Sequence, residues 1–554
     1  MNRNSINIQN NNYDLLIIGG GIVGASAALD ASLRGLNVLL VDKGDFGGAT
    51  SASSGKMIHG GIRFMQHGAF LRVRESLHHR RVFLNNAPHL VHPIPFIIPT
   101  YGHGMKGKEI LSVGMIIYEL LGIDKNITKD LSKKIPHFKI LSRKEILALE
   151  PEINKNGLTG GVLYYDCQMH TPERLTLAFI QSANENGADV LNYMQVKNLI
   201  VENNSVIGAN TIDLITGQNY SVNSKFTLNA SGPWLYKILN GNLKNLKQIQ
   251  FSKGIHLVTE SITNNHAIAL ATEHKQAKSL LTRGGRHFFI APWKNHSLIG
   301  TTNVDFKGEQ DDLMVTKKDI EEFLEEIKDS YQPASKIKLN DIKYFYGGLY
   351  LDDVNIKSNK GYQGHRHDQI IDHKMDSNLE GLLSVIGVKY TTSPNLAQKI
   401  VNKVVERLGK GNNKSNFEKY PIYGGDISNY SEFVMNAQNK YSAILDKDIT
   451  EHLILNYGSK FEEIIKIGLN SDFLLKRIVK DLPFILAEVV YSVRFEMAVK
   501  LSDIFLRRLG LGTLRKPEEN IIHTVAQLMA KELLWDREKI QKEIDEFKIV
   551  YFIE

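Results

Sequence analysis

The chain has 554 residues, which is too long for one compact core and predicts two or three domains. Apolar residues make up 42% and charged residues 23%, as in an ordinary globular protein. The net charge of +7 is small, so it is compatible with a solvated surface, an anionic substrate or an anionic membrane face. A single cysteine, Cys167, excludes an intramolecular disulfide and a cysteine-based metal cluster, and no metal site is predicted.

Neither a secretory signal nor a membrane-spanning segment is expected. Residues 1–12 are rich in Asn and lack an apolar run beside a basic stretch. The longest apolar pieces, near 93–99 and 113–121, fall short of the roughly 18–20 residues that a spanning helix needs. The sequence therefore predicts a cytoplasmic protein, with peripheral attachment to the inner face of the cytoplasmic membrane as an open alternative.

The first elements form a β-α-β unit. Residues 14–18 are an apolar, branched run of the kind buried in parallel sheets, and 25–34 form an Ala-rich helix that Gly35 ends. Residues 37–41 give a second strand, followed by Asp42. Between strand and helix, Gly19, Gly21 and Gly24 fit the G-x-G-x-x-G pattern. This order predicts a dinucleotide site, with pyrophosphate at the helix N-terminus and ribose at Asp42.

The rest of the chain divides near residue 410. Before that point we expect mixed helices and strands; after a polar linker at about 410–416 the pattern is mostly helical. The expected elements, in chain order, are a Gly/Ser/Ala-rich loop at 44–63, helices at 70–86 and 173–187, short strands to 230, a sheet layer at 250–350 and a helix at 394–408. No second G-x-G-x-x-G occurs, which argues against a second nucleotide site.

Several motifs together resemble one family. They are 19–24, 49–63, 165–167 with Arg174, 229–234, 253–256, 292–293, 299–305, 383–392 and 421–425. With these residues the chain resembles the FAD-dependent (respiratory) glycerol-3-phosphate dehydrogenases and the related oxidases over nearly its whole length. The segment 50–63 is highly specific, whereas the glycine pattern alone is not.

The resemblance implies an α/β fold with three parts: a Rossmann-type FAD-binding domain, a mixed β-sheet substrate domain like that of amino-acid oxidases, and a C-terminal all-helical domain. The expected oxidoreductase region is 1–410, with FAD-binding segments at about 12–80, 160–240 and 345–410 and substrate segments at about 81–159 and 241–344. The helical domain follows at 417–554. The implied reaction oxidises sn-glycerol 3-phosphate to dihydroxyacetone phosphate and passes electrons to a membrane quinone.

The resemblance also assigns the site residues. The expected cofactor-binding residues are Gly19, Gly21, Gly24, Asp42, Thr50, Ser51, Ser54, Lys56, Ala230, Gly232, Gly387 and Thr391. The expected catalytic residues are His59 and His256, since imidazole suits a base near the substrate hydroxyl, with Arg63 and Lys389 as cations for the substrate phosphate.

One departure concerns the phosphate. Tyr350 stands where the family usually has an arginine, and Arg283, Arg286 or Arg366 could compensate. Two alternatives therefore stay open: an oxidase of the same fold that uses oxygen or another hydroxy or amine substrate, and a flavin-binding protein with degraded catalysis.

The predicted partners are glycerol 3-phosphate and a membrane quinone, and no nucleic acid. An anionic membrane surface and a homodimer stay open. A basic, helix-like stretch at 500–508 could rest on lipid or on a partner subunit, or be a solvated helix face.

Overall fold

The structure is a computed structural model. It describes residues 1, 3, 6–104, 107–128, 130–239, 250–271, 287–352, 367–387, 389–411 and 414–553. Within these ranges the strands are β1 (Asn12–Tyr13), β2 (Leu15–Ile18), β3 (Val38–Val41), β4 (Met57–Ile58), β5 (Val91–Tyr101), β6 (Lys139–Ser142), β7 (Leu158–Met169), β8 (Asp189–Leu191), β9 (Met194–Glu202), β10 (Ser205–Asp213), β11 (Asn219–Ser224), β12 (Thr227–Asn229), β13 (Gln250–Glu260), β14 (Ala267–Ala271), β15 (His287–Trp293), β16 (His296–Gly300), β17 (Val304–Phe306), β18 (Ile342–Asp352), β19 (Gln369–Asp372) and β20 (Leu382–Ile386).

The described α-helices are α1 (Ile22–Leu33), α2 (Phe70–Asn86), α3 (Lys108–Leu121), α4 (Arg143–Leu149), α5 (Pro172–Glu185), α6 (Leu235–Leu239), α7 (Lys317–Ile327), α8 (His373–Ser377), α9 (Ser393–Arg407), α10 (Tyr430–Lys440), α11 (Lys447–Tyr457), α12 (Phe461–Gly468), α13 (Leu486–Glu496), α14 (Glu519–Leu533) and α15 (Arg537–Ile549). Short 3₁₀ segments cover Ile62–His67 and Tyr390–Thr392, and a π-helix covers Asp503–Arg508. Within the same ranges, no helix combines the length and the apolar character needed to cross a bilayer.

A six-stranded sheet in the order β19-β20-β12-β2-β3-β8 forms the first layer. All its neighbouring pairs are parallel except β19 with β20. The predicted β-α-β unit is β2-α1-β3, and every residue of β2 and β3 is buried, as the apolar runs predict. Helix α1 packs against α5 and α9, which brings residues far apart in the sequence into one core.

A ten-stranded sheet forms the second layer, in the order β17-β13-β16-β15-β14-β5-β7-β4, with β18 paired to β13 and β6 to β7. Most of its strands come from the segments expected to form the substrate part, but β4 and most of β7 and β18 come from segments that were expected to bind FAD. A smaller four-stranded sheet, β1-β11-β10-β9, packs beside the six-stranded one through a shared apolar cluster. These layers and the helices after residue 430 match the predicted fold class.

Helix α7 lies inside the segment that we predicted to be a sheet layer. The side chains of Thr316 and Asp319 form a capping box at its start, and Ile320, Phe323 and Ile327 are buried along one face. The chain therefore contains a Thr-x-x-Asp sequence followed by apolar residues at helical spacing, a pattern that indicates a helix. The aromatic and β-branched runs on either side of α7 favour strands, so the predicted sheet layer extended across it.

The C-terminal helices pack on the ten-stranded sheet. Val258, Trp293 and Leu298 of that sheet share an apolar cluster with α13, α14 and α15. A second cluster joins α10 to α13. The helical region therefore shares a continuous core with the sheet that it covers.

Gly24 is needed for the close contact between α1 and the turn before it. A Cβ atom at Gly24 would lie 1.9 Å from the carbonyl oxygen of Gly19. We expect Gly24→Ala to lower the free energy of unfolding by about 1–3 kcal/mol, since the backbone must move to admit the methyl group. Chemical denaturation measures this, with Gly411→Ala as control because a Cβ there meets nothing within 4 Å. Equal stability of the two variants would contradict the packing argument.

Candidate functional site

A cavity of about 880 Å³ lies between the carboxyl ends of the six-stranded sheet and the ten-stranded sheet. It is lined by the glycine turn, much of 42–55, most of the 59–64 segment, the turn after β12, and residues 385–387 and 389–391. Carboxyl ends of parallel strands are where α/β folds bind ligands. The volume and the two-sheet lining suit an elongated ligand such as a dinucleotide.

The glycine turn forms the phosphate-binding end. Gly19 has a φ of 107°, and a Cβ atom there would lie 2.5 Å from the carbonyl oxygen of Ala230. Gly21 precedes α1 and provides no side-chain cap, while the N–H of Ile22 donates to Ser51 Oγ at 2.9 Å. The first turn of α1 therefore presents N–H groups and partial positive charge to the cavity, as a pyrophosphate requires.

Asp42 lies where the ribose is expected. Its two carboxylate oxygens accept hydrogen bonds from the N–H groups of Gly20, at 2.6 Å, and Gly44, at 2.8 Å. Burial raises the pKa of this carboxyl to about 6, although the two backbone donors act in the opposite direction. Asp42 thus ties the glycine turn to the loop after β3 and faces the cavity.

The cavity lining also includes a cluster that we did not predict. The Trp234 indole donates to Asp311 at 2.8 Å, and Lys43 lies 4.1 Å from the centre of the Trp234 ring and pairs with Asp311. Lys237 reaches the same carboxylate at 3.1 Å. The cluster joins residues about 270 positions apart, so neither local pattern nor spacing could indicate it.

The Gly/Ser-rich loop crosses between the two sheets. Thr50 Oγ1 donates to the carbonyl oxygen of Leu349 at 3.1 Å, and the Tyr346 hydroxyl donates to that of Ser54 at 2.8 Å. These two hydrogen bonds join the loop to β18. Small side chains are needed here because Gly348 packs against Ser53, where an added Cβ would lie 2.9 Å from the Ser53 Cβ.

Lys56 points away from the cavity. Its side chain is buried, and its ammonium donates to Glu173 at 3.3 Å between the rings of Trp293 and Tyr346. The positive φ of Lys56, 55°, turns the chain at this point. The Lys56 side chain is thus placed to support the wall behind the cavity, and direct contact between its ammonium and a cofactor is not part of this arrangement.

His59 and Lys389 come together on the cavity wall. The N–H of His59 donates to Thr391 Oγ1 at 3.2 Å, and the Lys389 ammonium donates to Ser76 Oγ at 2.7 Å. Burial lowers the pKa of Lys389 to about 7. Burial, followed by the charges of Lys389 and Arg80, lowers the pKa of His59 well below its usual range. Arg63 also lines this wall, so two cations face the cavity near a neutral imidazole.

His256 lies on β13 and stacks on Tyr346, with ring centres 5.0 Å apart. The residue is 2% exposed, and its Nδ1 has no hydrogen-bond partner among the described residues. Burial, and to a smaller extent the Lys56 charge, lower the pKa of His256 to about 3. Its imidazole is therefore neutral at neutral pH.

Asp166 holds the loop beside His59. It accepts from Arg80 at 2.6 Å, from the Tyr118 hydroxyl at 2.9 Å and from the N–H of Gly60 at 3.2 Å. Asp166 belongs to a matched motif, but nothing in the sequence places it next to residue 60. The contact crosses from β7 to the Gly-rich loop, which only the folded chain brings together.

All predicted site residues except Gly24 and Lys56 line the cavity. These include Thr50, Ser51 and Ser54, and the more distant Ala230, Gly232, Gly387 and Thr391. Tyr350 and His287 also line it. Arg283, Arg286 and Arg366, which we considered as substitutes for the missing arginine, lie outside the described residues. No group of three or more His, Cys, Asp or Glu side chains in the described ranges is arranged to hold a metal ion.

The basic stretch at 500–508 does not have the surface role that we considered. Arg508 is 1% exposed and binds both oxygens of Asp45, at 2.7 and 2.8 Å, and Arg507 binds the same carboxylate at 2.6 Å. Arg507, Ser502 and Lys500 line the cavity instead. The prediction was wrong for the two arginines because their partner lies some 460 residues earlier in the chain.

Comparisons with known proteins agree with this geometry. Residues 14–394 match the family of FAD dependent oxidoreductases, and residues 415–540 match the C-terminal domain of alpha-glycerophosphate oxidase. The chain is 32% identical to a glycerol-3-phosphate dehydrogenase of Synechocystis sp., covering 98% of this chain and 97% of that protein. It is also 32% identical to an aerobic glycerol-3-phosphate dehydrogenase of Staphylococcus haemolyticus, covering 94% and 92%.

A solved structure has the same fold. The glycerol-3-phosphate dehydrogenase from Bacillus halodurans, solved in complex with FAD, superposes with a TM-score of 0.77 at 24% identity. The match covers 98% of this chain and 95% of that one.

Proposed function

Since the chain belongs to the FAD-dependent glycerol-3-phosphate dehydrogenase family and uses FAD, as predicted, we propose that it oxidises sn-glycerol 3-phosphate to dihydroxyacetone phosphate and passes the electrons to a membrane quinone. The observation that carries the proposal is that two cations, Arg63 and Lys389, and two neutral histidines line the same cavity. A phosphorylated alcohol needs both kinds of group.

The histidines supply the base. When bound, FAD supplies the hydride acceptor. Loss of a hydride from an alcohol carbon is accompanied by loss of the hydroxyl proton, and a neutral imidazole can take it. We assign this role to His256, whose ring is fixed by stacking on Tyr346, while His59 is held beside Lys389 by its backbone bond to Thr391.

The cations supply the phosphate site. Arg63 offers a planar fork and Lys389 a point charge, and a phosphate dianion is bound well by that combination. Tyr350 stands in place of the family arginine and offers a hydroxyl donor without a positive charge. Arg63 and Lys389 therefore balance the negative charge of the phosphate. Degraded catalysis is the weaker alternative, because the remaining predicted catalytic side chains all face the cavity.

The first test adds sn-glycerol 3-phosphate to the purified holoprotein without oxygen. We expect the flavin absorbance to bleach at millimolar substrate, and glycerol, which lacks the phosphate, to leave it unchanged. Full FAD occupancy without bleaching would reject the proposed substrate. Reoxidation by a quinone analogue, compared with peroxide formation in air, then separates the dehydrogenase from an oxidase.

The pH dependence tests Lys389. Because its pKa is lowered to about 7, the ammonium is charged below that pH and loses its proton above it. We expect kcat/KM for glycerol 3-phosphate to fall about tenfold per pH unit above pH 7. Lys389→Arg should flatten this alkaline limb, since a guanidinium stays charged. The exposed Lys399→Arg is the control and should keep the limb; an unchanged limb in Lys389→Arg would assign the pKa to another group.

Helix α3 supports membrane docking. Its outer face carries Val113, Ile116 and Leu120, which are 54%, 52% and 64% exposed, and Ile123 just beyond it is 81% exposed. On its inner face the Tyr118 hydroxyl bonds to Asp166, which lines the cavity. One helix therefore separates an exposed apolar surface from the FAD cavity, a suitable position for exchange with a quinone dissolved in lipid.

The charges around α3 do not oppose such docking. Glu119 is paired with Lys125, and Asp124 with Arg74 and Arg81, so each of these carboxylates is neutralised by a neighbour. A helix with an apolar outer face, too short to cross a bilayer, binds in the plane of the lipid interface. We therefore propose a phospholipid surface as the partner of this face.

Vesicle co-sedimentation tests the docking face. Each large apolar side chain moved out of water contributes roughly 1.5–3 kcal/mol, so the double variant Val113→Glu/Leu120→Glu should bind vesicles about a hundredfold or more weakly. The control is Leu534→Glu, because Leu534 is 90% exposed but lies after α14. Anaerobic bleaching by glycerol 3-phosphate should stay the same in both. Unchanged vesicle binding by the double variant would remove α3 from the proposal.

A further inference from the structure

A buried network of charged side chains connects the C-terminal helices to the loop after β3. Its members, which we call the Asp45 network, are Asp45, Arg174, Glu496, Asp503, Arg507 and Arg508. Their side chains are buried or nearly so, and the negative and positive charges balance. Asp45 and Arg174 lie more than 300 residues before the other four members in the sequence.

Asp45 is the only carboxylate of the network on the cofactor-binding loop. It accepts from Arg508 at 2.7 and 2.8 Å, from Arg507 at 2.6 Å and from the Asn192 amide at 3.1 Å. Two residues separate it from Asp42, and the N–H of Gly47 donates to the carbonyl oxygen of Gly20 at 3.0 Å. Movement of Asp45 would therefore reach both the ribose-binding carboxylate and the glycine turn.

The C-terminal half of the network is itself held firmly. Arg507 and Arg508 lie on the π-helix, a conformation that occurs frequently at functional sites. Asp503 pairs with Arg507, accepts from the N–H groups of Val499 and Lys500 at 2.8 and 2.9 Å, and accepts from the Tyr193 hydroxyl at 2.6 Å. Tyr193 and Arg507 both line the cavity.

Glu496 joins the network to α5. Arg174 donates to its two oxygens at 2.7 and 3.1 Å and to the carbonyl oxygen of Arg508 at 3.2 Å. The Arg508 guanidinium in turn donates to the Glu496 carbonyl oxygen at 2.8 Å. The π-helix is thus fixed to the first layer on two sides, through Asp45 and through Arg174.

We propose that Asp45, Arg507 and Arg508 are positioning residues that couple FAD binding to the docking of the C-terminal helices. Docking holds the 44–48 loop in the position that binds the adenosine diphosphate half of FAD. In return, bound FAD holds the docked helices, because a coupling free energy acts equally in both directions. The inference rests on FAD as the cofactor and is independent of the proposed substrate.

A pair of exposed charges would not have this effect, because surface ion pairs contribute little. Removing one partner of a buried pair leaves the other charge uncompensated, which is strongly unfavourable. Two arginines share the Asp45 carboxylate, so its neutralisation should release the loop and the π-helix together.

The test uses Asp45→Asn in the full-length protein. FAD is titrated into the deflavinated protein, and hydrogen exchange of residues 496–510 is measured with and without FAD. We expect FAD to bind at least tenfold more weakly, and the slowing of exchange that FAD causes in the unaltered chain to be lost. Arg494→Ala, which breaks the half-exposed pair of Arg494 with Glu532, is the matched control and should change neither measurement.

Two results would overturn the inference. One is unchanged FAD affinity in Asp45→Asn together with an equal fall in melting temperature with and without FAD, which means a purely structural role. The other is exchange at 496–510 that does not respond to FAD in the unaltered protein. If Asp45→Asn fails to fold, Arg508→Lys replaces it as the test variant. This substitution keeps the positive charge but loses the bidentate hydrogen bond to Asp45, and FAD affinity must still fall. Flavin bleaching at saturating FAD reports on the substrate separately.

Discussion

The uncapped amino end of α1 constrains the rest of the structure. No side chain at Gly21 satisfies the N–H groups of the first helical turn, and Ser51 takes only that of Ile22. The others are available to an anion, which explains why neighbouring backbone must approach so closely and carry so little side chain. Gly19 against Ala230 and Gly24 against Gly19 follow directly from this requirement. Asp42 then fixes the turn by accepting from Gly20.

The reactive part of the site depends on a different contact, the passage of the 50–63 loop between two sheets. The loop forms hydrogen bonds to β18, to Thr391 and to Asp166. Together these bonds set where His59 and Arg63 lie. Burial keeps His59 of this segment neutral, and it acts in the same way on His256 of β13. Burial also lowers the pKa of Lys389 to about 7.

The C-terminal helices are more than a cover. They share an apolar cluster with the ten-stranded sheet and reach the proposed FAD cavity through Lys500, Ser502 and Arg507. On the opposite side of the cavity wall, α3 presents an apolar face to solvent. Both the helical region and any surface that α3 binds can therefore affect a cofactor held between them.

The sequence by itself determined the parts whose pattern is local. The β-α-β unit, the three glycines and Asp42 predicted a dinucleotide site, because short spacing along the chain fixes short distances there. The specific 50–63 segment contributed to the resemblance that implied the family and FAD. Only the tertiary structure decided which long charged side chains are inside: Lys56 on Glu173, and Arg507 and Arg508 on Asp45. A charged residue reads as exposed from sequence, and its burial depends on a counter-charge that the fold brings from hundreds of residues away.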